Sequence, residues 1–228
     1  KNIAEEMLIQ LGDPRFNKGS AIEKTNRILN FLDKCEVQMV IFDELQHFVD
    51  QGKRRTPLEV SDWLKTVIDK AGVSTVLMGL ERSEAILEVN EQLRRRFSRR
   101  VDIPPFSIKT KESRATFIGV VRVLDEKVGL PGRINLQDKE LILSLFFASN
   151  GIIDYLVKLF IGAYEQAIKL DYEKLDKECF YIAFSECIWA EGIGKLNPFH
   201  ESFKYEHLDK LGMPFHRVIS NESKRVRA

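Results

Sequence analysis

Residues 37–42 and 73–79 are short apolar runs, whereas elsewhere apolar positions recur mostly three and four residues apart. The runs predict strands and the longer spacing predicts helices. A helical pattern covers residues 2–11 until the turn residues of "GDPRFNKGS" interrupt it. Ser20 followed by Glu23 predicts a capping box, opening a helix through about Lys34. After the first strand come a short helix over 45–49 and a polar, basic loop, "DQGKRR". Pro57, suited to a first turn, begins a longer helix to about Ala71. Past the second strand, "ERSEAILEV" and "EQLRRRF" read as helices, and "RRVDIPPF" as a short strand closed by Pro104 and Pro105.

Beyond Phe106 helical patterns dominate, over about 111–128, 137–149, 152–170 and 174–190, with "GLPGRINL" as the break between the first two. From about Gly192 the chain is rich in aromatic and turn residues, and "ESKRVRA" is a basic end. Apolar strands joined through helices predict an α/β fold with a parallel sheet buried on both faces. The expected organisation is an α/β part over 1–107, an all-helical part over 108–191 and a tail over 192–228.

Composition narrows this little. The 228 residues carry 35 Lys and Arg against 34 Asp and Glu, so bulk charge identifies no partner, although a local basic face could still bind nucleic acid. Cys35, Cys179 and Cys187 are odd in number and match no zinc or redox spacing, and His47, His200, His207 and His216 show no metal spacing. No apolar run approaches the roughly 20 residues that span a bilayer, and no signal peptide opens the chain; no membrane partner is expected, and the cytoplasm is the default compartment.

The candidate chemistry lies where the first strand ends, in "VQMVIFDELQHF". Asp43 and Glu44 follow the apolar run directly. In open α/β sheets ligands gather beyond the carboxyl ends of the strands. An Asp there can hold magnesium through its water shell, and a neighbouring Glu can orient or deprotonate a water. The alternative is that both acids merely favour the start of the next short helix.

The chain resembles the AAA+ ATPases, and within them the TniB/TnsC family of transposon regulators. "VQMVIFDELQHF" is similar to that family's Walker B strand and its short Gln-His helix, and "VSTVLMGLERSEAI" to the strand leading to sensor one. "EQLRRRFSRRVDIPPF" resembles the arginine-bearing segment, "SNGIIDYLVKLFIGAYEQAI" the first helix of the helical lid, and "LNPFHESF" with "LGMPFHRV" the tail after it. The resemblance implies a P-loop NTPase core, truncated here, followed by a helical lid. Its bound species would be ATP and Mg2+, with Asp43 holding the metal through water and Glu44 acting on the attacking water.

The same resemblance assigns the remaining candidates. An Arg just before Phe97 would reach the neighbouring subunit's γ-phosphate, Arg96 first and Arg95 second, although cations at a solvated helix end are equally ordinary. Lys158 would stand in for the sensor-two Arg, whose place Tyr155 takes. Lys18 and Ser20 in "RFNKGS" would contact DNA phosphate, against the bland alternative of a loop Lys and a helix cap; "GKRR" is more an ordinary solvated turn. The implied partners are double-stranded DNA, a transposase, a target-selector protein and further copies of the chain in a ring or helical filament, in a bacterial cytoplasm.

Two features depart from the pattern. No G-x-x-x-x-G-K-[ST] cradle is present, since "NKGSA" has its Lys before the Gly; the sequence is expected to be a fragment without its P-loop, inactive towards ATP by itself. Leu80 stands where sensor one offers a polar residue, so nucleotide would act more as an assembly switch than as rapidly consumed fuel. Two rivals stay open: another AAA+ or STAND ATPase such as a replication-initiator relative, and a non-catalytic interaction domain.

Overall fold

The computed structural model describes residues 3–50 and 56–216, side chains 49 and 50 excepted. The "GKRR" loop and the basic end therefore lie outside the described residues. The chain divides into two compact units, Lys1–Val101 and Asp102–Ala228.

The first unit begins with helices α1 (Ile3–Gln10) and α2 (Ala21–Lys34). The α2 start is a capping box, with Ser20 Oγ accepting from Glu23 N–H and the Glu23 carboxylate accepting from Ser20 N–H. Strand β1 (Met39–Phe42), helices α3 (Gln46–Asp50) and α4 (Pro57–Ala71), and strand β2 (Ser74–Leu77) follow. A second capping box, between Thr56 and Glu59, opens α4 with Pro57 in its first turn. Short helices α5 (Ala85–Glu88) and α6 (Glu91–Arg96) complete the unit.

The two strands pair in parallel, Ile41 opposite Val76 and Phe42 opposite Leu77. Phe42 joins Leu45, Val60, Leu64, Ile86 and Leu93 in one core cluster. A second cluster, Ala4, Leu8, Ile28 and Leu32, packs under α1 and α2. Trp63 links them: its ring meets Phe42 edge-on at 6.4 Å, and its indole N–H donates to Thr25 Oγ1 at 3.1 Å.

Two expectations are corrected here. Among the described residues the sheet is covered on one face only, because Met39 and Ile41 are 53% and 56% exposed and Val76 is exposed beside them. "RRVDIPPF" forms no strand: residues 97–108 contain no regular element. Val101 and Ile103 are exposed, no strand among the described residues pairs with them, and Pro104 and Pro105 have no N–H to offer a ladder.

The second unit is helical: α7 (Lys111–Val128), α8 (Lys139–Ser149), α9 (Ile153–Lys169) and α10 (Lys177–Ala183). The expected long last helix ends sooner, passing into a π-turn over Phe184–Ile188. Phe117, Leu145, Leu156, Phe160, Phe180 and Phe184 form its centre, and Phe199, Phe203, Leu208 and Phe215 of the tail are buried in the same cluster. The tail therefore braces the helices rather than trailing from them. Asn197 pins it, its buried amide donating to the carbonyls of Tyr181 and Gly192 at 2.9 and 2.8 Å. At the α8–α9 turn Gly151 has φ +71, and a Cβ there would collide with the Phe106 carbonyl. This lets Phe106 N–H donate to Gly151 C=O at 2.7 Å, fastening the unit's entry segment. No single helix among the described residues is long and apolar enough to cross a membrane.

Candidate functional site

Asp43 and Glu44 stand directly after β1, at the carboxyl edge of the sheet. The backbone pairing of the strands continues past them: Met78 N–H donates to Phe42 C=O at 2.8 Å, and Leu45 N–H donates to Met78 C=O at 3.1 Å. The chain must therefore turn sharply between Phe42 and Leu45. Glu44 takes this turn at φ 57, a left-handed conformation unusual for a residue with a side chain. The Asp43 side chain supports it, Oδ1 accepting from Glu44 N–H at 2.7 Å. Strain of this kind persists where surrounding contacts over-determine it, and functional sites are where it concentrates.

Both carboxylates are exposed. Glu44 Oε2 accepts from the Gln46 amide and lies 3.5 Å from His47 Nε2. Gln46 itself is buried, and its Oε1 accepts from Leu80 N–H at 3.0 Å. The structure thus joins the end of β1 to the end of β2 through one side chain that sequence reasoning passed over. The signal available was a polar residue at the buried start of a short helix, between the apolar Leu45 and Phe48.

The arginine run sits on α6, and its members separate. Arg95 pairs with Glu91 of its own helix at 2.6 Å, and Arg96 with Asp69 of α4 at 2.6 Å. Arg94 is exposed and has no ion pair among the described residues. Exposed pairs of this kind are worth at most about 1 kcal/mol, so they do not fix either guanidinium in place.

In the loop between α1 and α2, Lys18 is exposed, with its backbone held on both sides. Its N–H donates to Arg15 C=O at 2.9 Å, and its C=O accepts from Arg27 Nη2 at 3.0 Å. Arg27 also donates to Arg15 C=O at 2.9 Å and, through Nε, to the buried Asp13 carboxylate at 2.8 Å. The backbone N–H of Arg15, foremost, and the Arg27 guanidinium hold the Asp13 carboxyl below its usual range. Asp13 and Arg27 are thus the frame of this loop, also unforeseen from sequence. Ser20 uses its N–H and one hydroxyl lone pair in the α2 cap. Lys158 belongs to the second unit, on α9, where Asp154 accepts from it at 2.7 Å and Tyr155 lies beneath its ammonium.

With this geometry in view, comparison with known families bears on the first unit. Residues 1–107 match the family described as "Bacterial TniB protein". This part of the chain, a little under half of it, is similar to the TniB family. The matched segment carries the two strands, the acidic pair and the arginine run. No curated protein matches the chain.

Proposed function

We propose that this chain, similar to the TniB family over residues 1–107, works as part of an AAA+ ATPase that regulates DNA transposition, using ATP to assemble on duplex DNA and to couple a target-selector protein to the transposase. The observation that carries the reading is the acidic pair on a strained turn at the carboxyl edge of a parallel sheet, inside the family-matched segment.

The donor set suits magnesium. Among the described residues no group of three or more His, Cys, Asp or Glu could hold a metal, whereas magnesium asks for one or two carboxylates and completes its shell with water and phosphate. Asp43 has Oδ2 without a hydrogen bond among the described residues, so it is the group for a hydrated ion. Magnesium would neutralise phosphate charge when bound. Glu44 would orient the attacking water, and Arg96 or Arg95, leaving its weak surface pair, would supply positive charge to a neighbouring subunit's nucleotide. On this reading the phosphate cradle is supplied by a group other than a G-x-x-x-x-G-K-[ST] motif of these 228 residues, whose sequence has none. Lys158 is assigned to nucleotide phosphate and Lys18 to DNA phosphate, with Ser20 shaping the DNA loop as a cap.

Sedimentation of the complete protein with duplex DNA tests the proposal. Co-sedimentation should require ATP, and binding should weaken steeply as salt rises. Equal DNA binding with and without nucleotide would favour the non-catalytic interaction domain instead.

A further inference from the structure

The resemblance called for a polar residue immediately after Gly79, and the chain has Leu80, whose side chain is exposed and has no polar atom. The polar group at that place comes from elsewhere. Gln46, the first residue of α3, is 3% exposed and sends its amide into the gap between the two strand ends. Its oxygen accepts from Leu80 N–H at 3.0 Å, and its nitrogen donates to the Glu44 carboxylate.

The chemistry of the two partners selects this residue type. A backbone N–H can only donate and an ionised carboxylate can only accept, so the bridging group must do both at one end. A primary amide does so without charge. Glutamate could accept from Leu80 but would set a second carboxylate against Glu44. Asparagine carries the same group but is one methylene shorter. Gly79 keeps the gap free, because a Cβ there would come within 3.0 Å of Gln46 Oε1 and 2.7 Å of Ser83 Oγ. The turn beyond is itself fixed, Ser83 Oγ donating to Leu80 C=O at 2.6 Å.

We infer that Gln46 is a positioning residue, which fixes the direction of the Glu44 carboxylate by tying it to the Leu80 amide. This inference rests on the reading of Glu44 as the water-orienting group. Its consequence is that the 79–83 turn and Glu44 move together: whatever shifts the Leu80 amide re-aims the carboxylate. Gln46 supplies from the first strand's side the polar link that Leu80 cannot supply from the second.

The test has two arms. In the 228-residue chain, amide hydrogen exchange is measured by NMR for the wild type, Gln46→Met and Gln46→Asn. Leu80 should lose protection by about tenfold in both variants, the equivalent of one hydrogen bond, while Met78, whose N–H donates to Phe42 C=O, keeps its own. Unchanged Leu80 protection overturns the inference. Should Gln46→Met fail to fold, the Asn variant carries the comparison with the polar group retained. In the complete ATP-hydrolysing protein, Gln46→Asn should lower kcat by about tenfold with KM for ATP within about twofold, the sign of an interaction acting on the transition state rather than on binding. Glu44→Gln is measured alongside. If Glu44→Gln turns over normally, the reading of Glu44 itself fails. If Glu44→Gln is inactive and Gln46→Asn matches the wild type, the positioning inference alone is overturned.

Discussion

At the scale of single residues, carboxyls divide into those lowered by hydrogen bonds, as at Asp13, and those raised by burial. Asp125 on α7 shows the second kind. It is buried, accepts from Ile134 N–H at 3.4 Å and lies 3.9 Å from Arg133 Nε. Burial dominates and raises its carboxyl above the usual range, against the opposing Ile134 hydrogen bond. The folded state then holds this proton more tightly than the unfolded chain does. Stability from this group is present at low pH and is lost as pH rises from the unfolded value through the raised folded one. Thermal melts of Asp125→Asn and wild type at pH 4 and pH 7 should show the variant gaining relative stability at the higher pH; a pH-independent difference would contradict this. Cys179 behaves similarly: burial pushes its thiol up to about 11, while Cys35 is exposed. Alkylation of the native protein at pH 8 should modify Cys35 and spare Cys179. Residues of this scale were unevenly legible. The place of Asp43 and Glu44 at a strand end was legible because an apolar run stops at them, but Gln46, Asp13 and Arg27 act through contacts that bring distant or turning backbone together.

At the scale of elements, local sequence signals located the helices better than the strands. The Ser20–Glu23 box and Pro57 marked the starts of α2 and α4 because a cap is a contact within four residues. A strand needs a partner that sequence alone does not supply, and "RRVDIPPF" has none among the described residues. For the same reason the open face of the sheet was invisible: apolar composition suggested two covered faces, yet Met39, Ile41 and Val76 remain exposed. The α1–α2 loop allows the two readings of its residues to be separated. Ser20→Ala should cost about 1 kcal/mol of stability, read by urea unfolding, because it removes a cap. Lys18→Gln should leave stability unchanged but reduce the salt slope of DNA binding by about 1. A Lys18 variant with unchanged affinity and slope would remove this loop from the DNA interface.

At the scale of the whole molecule, an α/β unit similar to the TniB family precedes a helical unit whose tail is built into its core. Near-neutral total charge hid any nucleic-acid role, because a binding face needs only a few local cations. The carboxylates, the arginines and the α1–α2 loop of the proposal all lie in the first unit, whereas Lys158 lies in the second. Hydrolysis and assembly are then separable: removing the water-orienting carboxylate should stop the first without preventing the second. The most direct measurement is ATP turnover and ATP-dependent DNA assembly by the complete protein carrying Glu44→Gln. Turnover should fall by about a hundredfold or more, the usual worth of a positioned general base, while filament or ring assembly with ATP persists. Wild-type turnover in that variant would contradict the assignment of the strand-end acids.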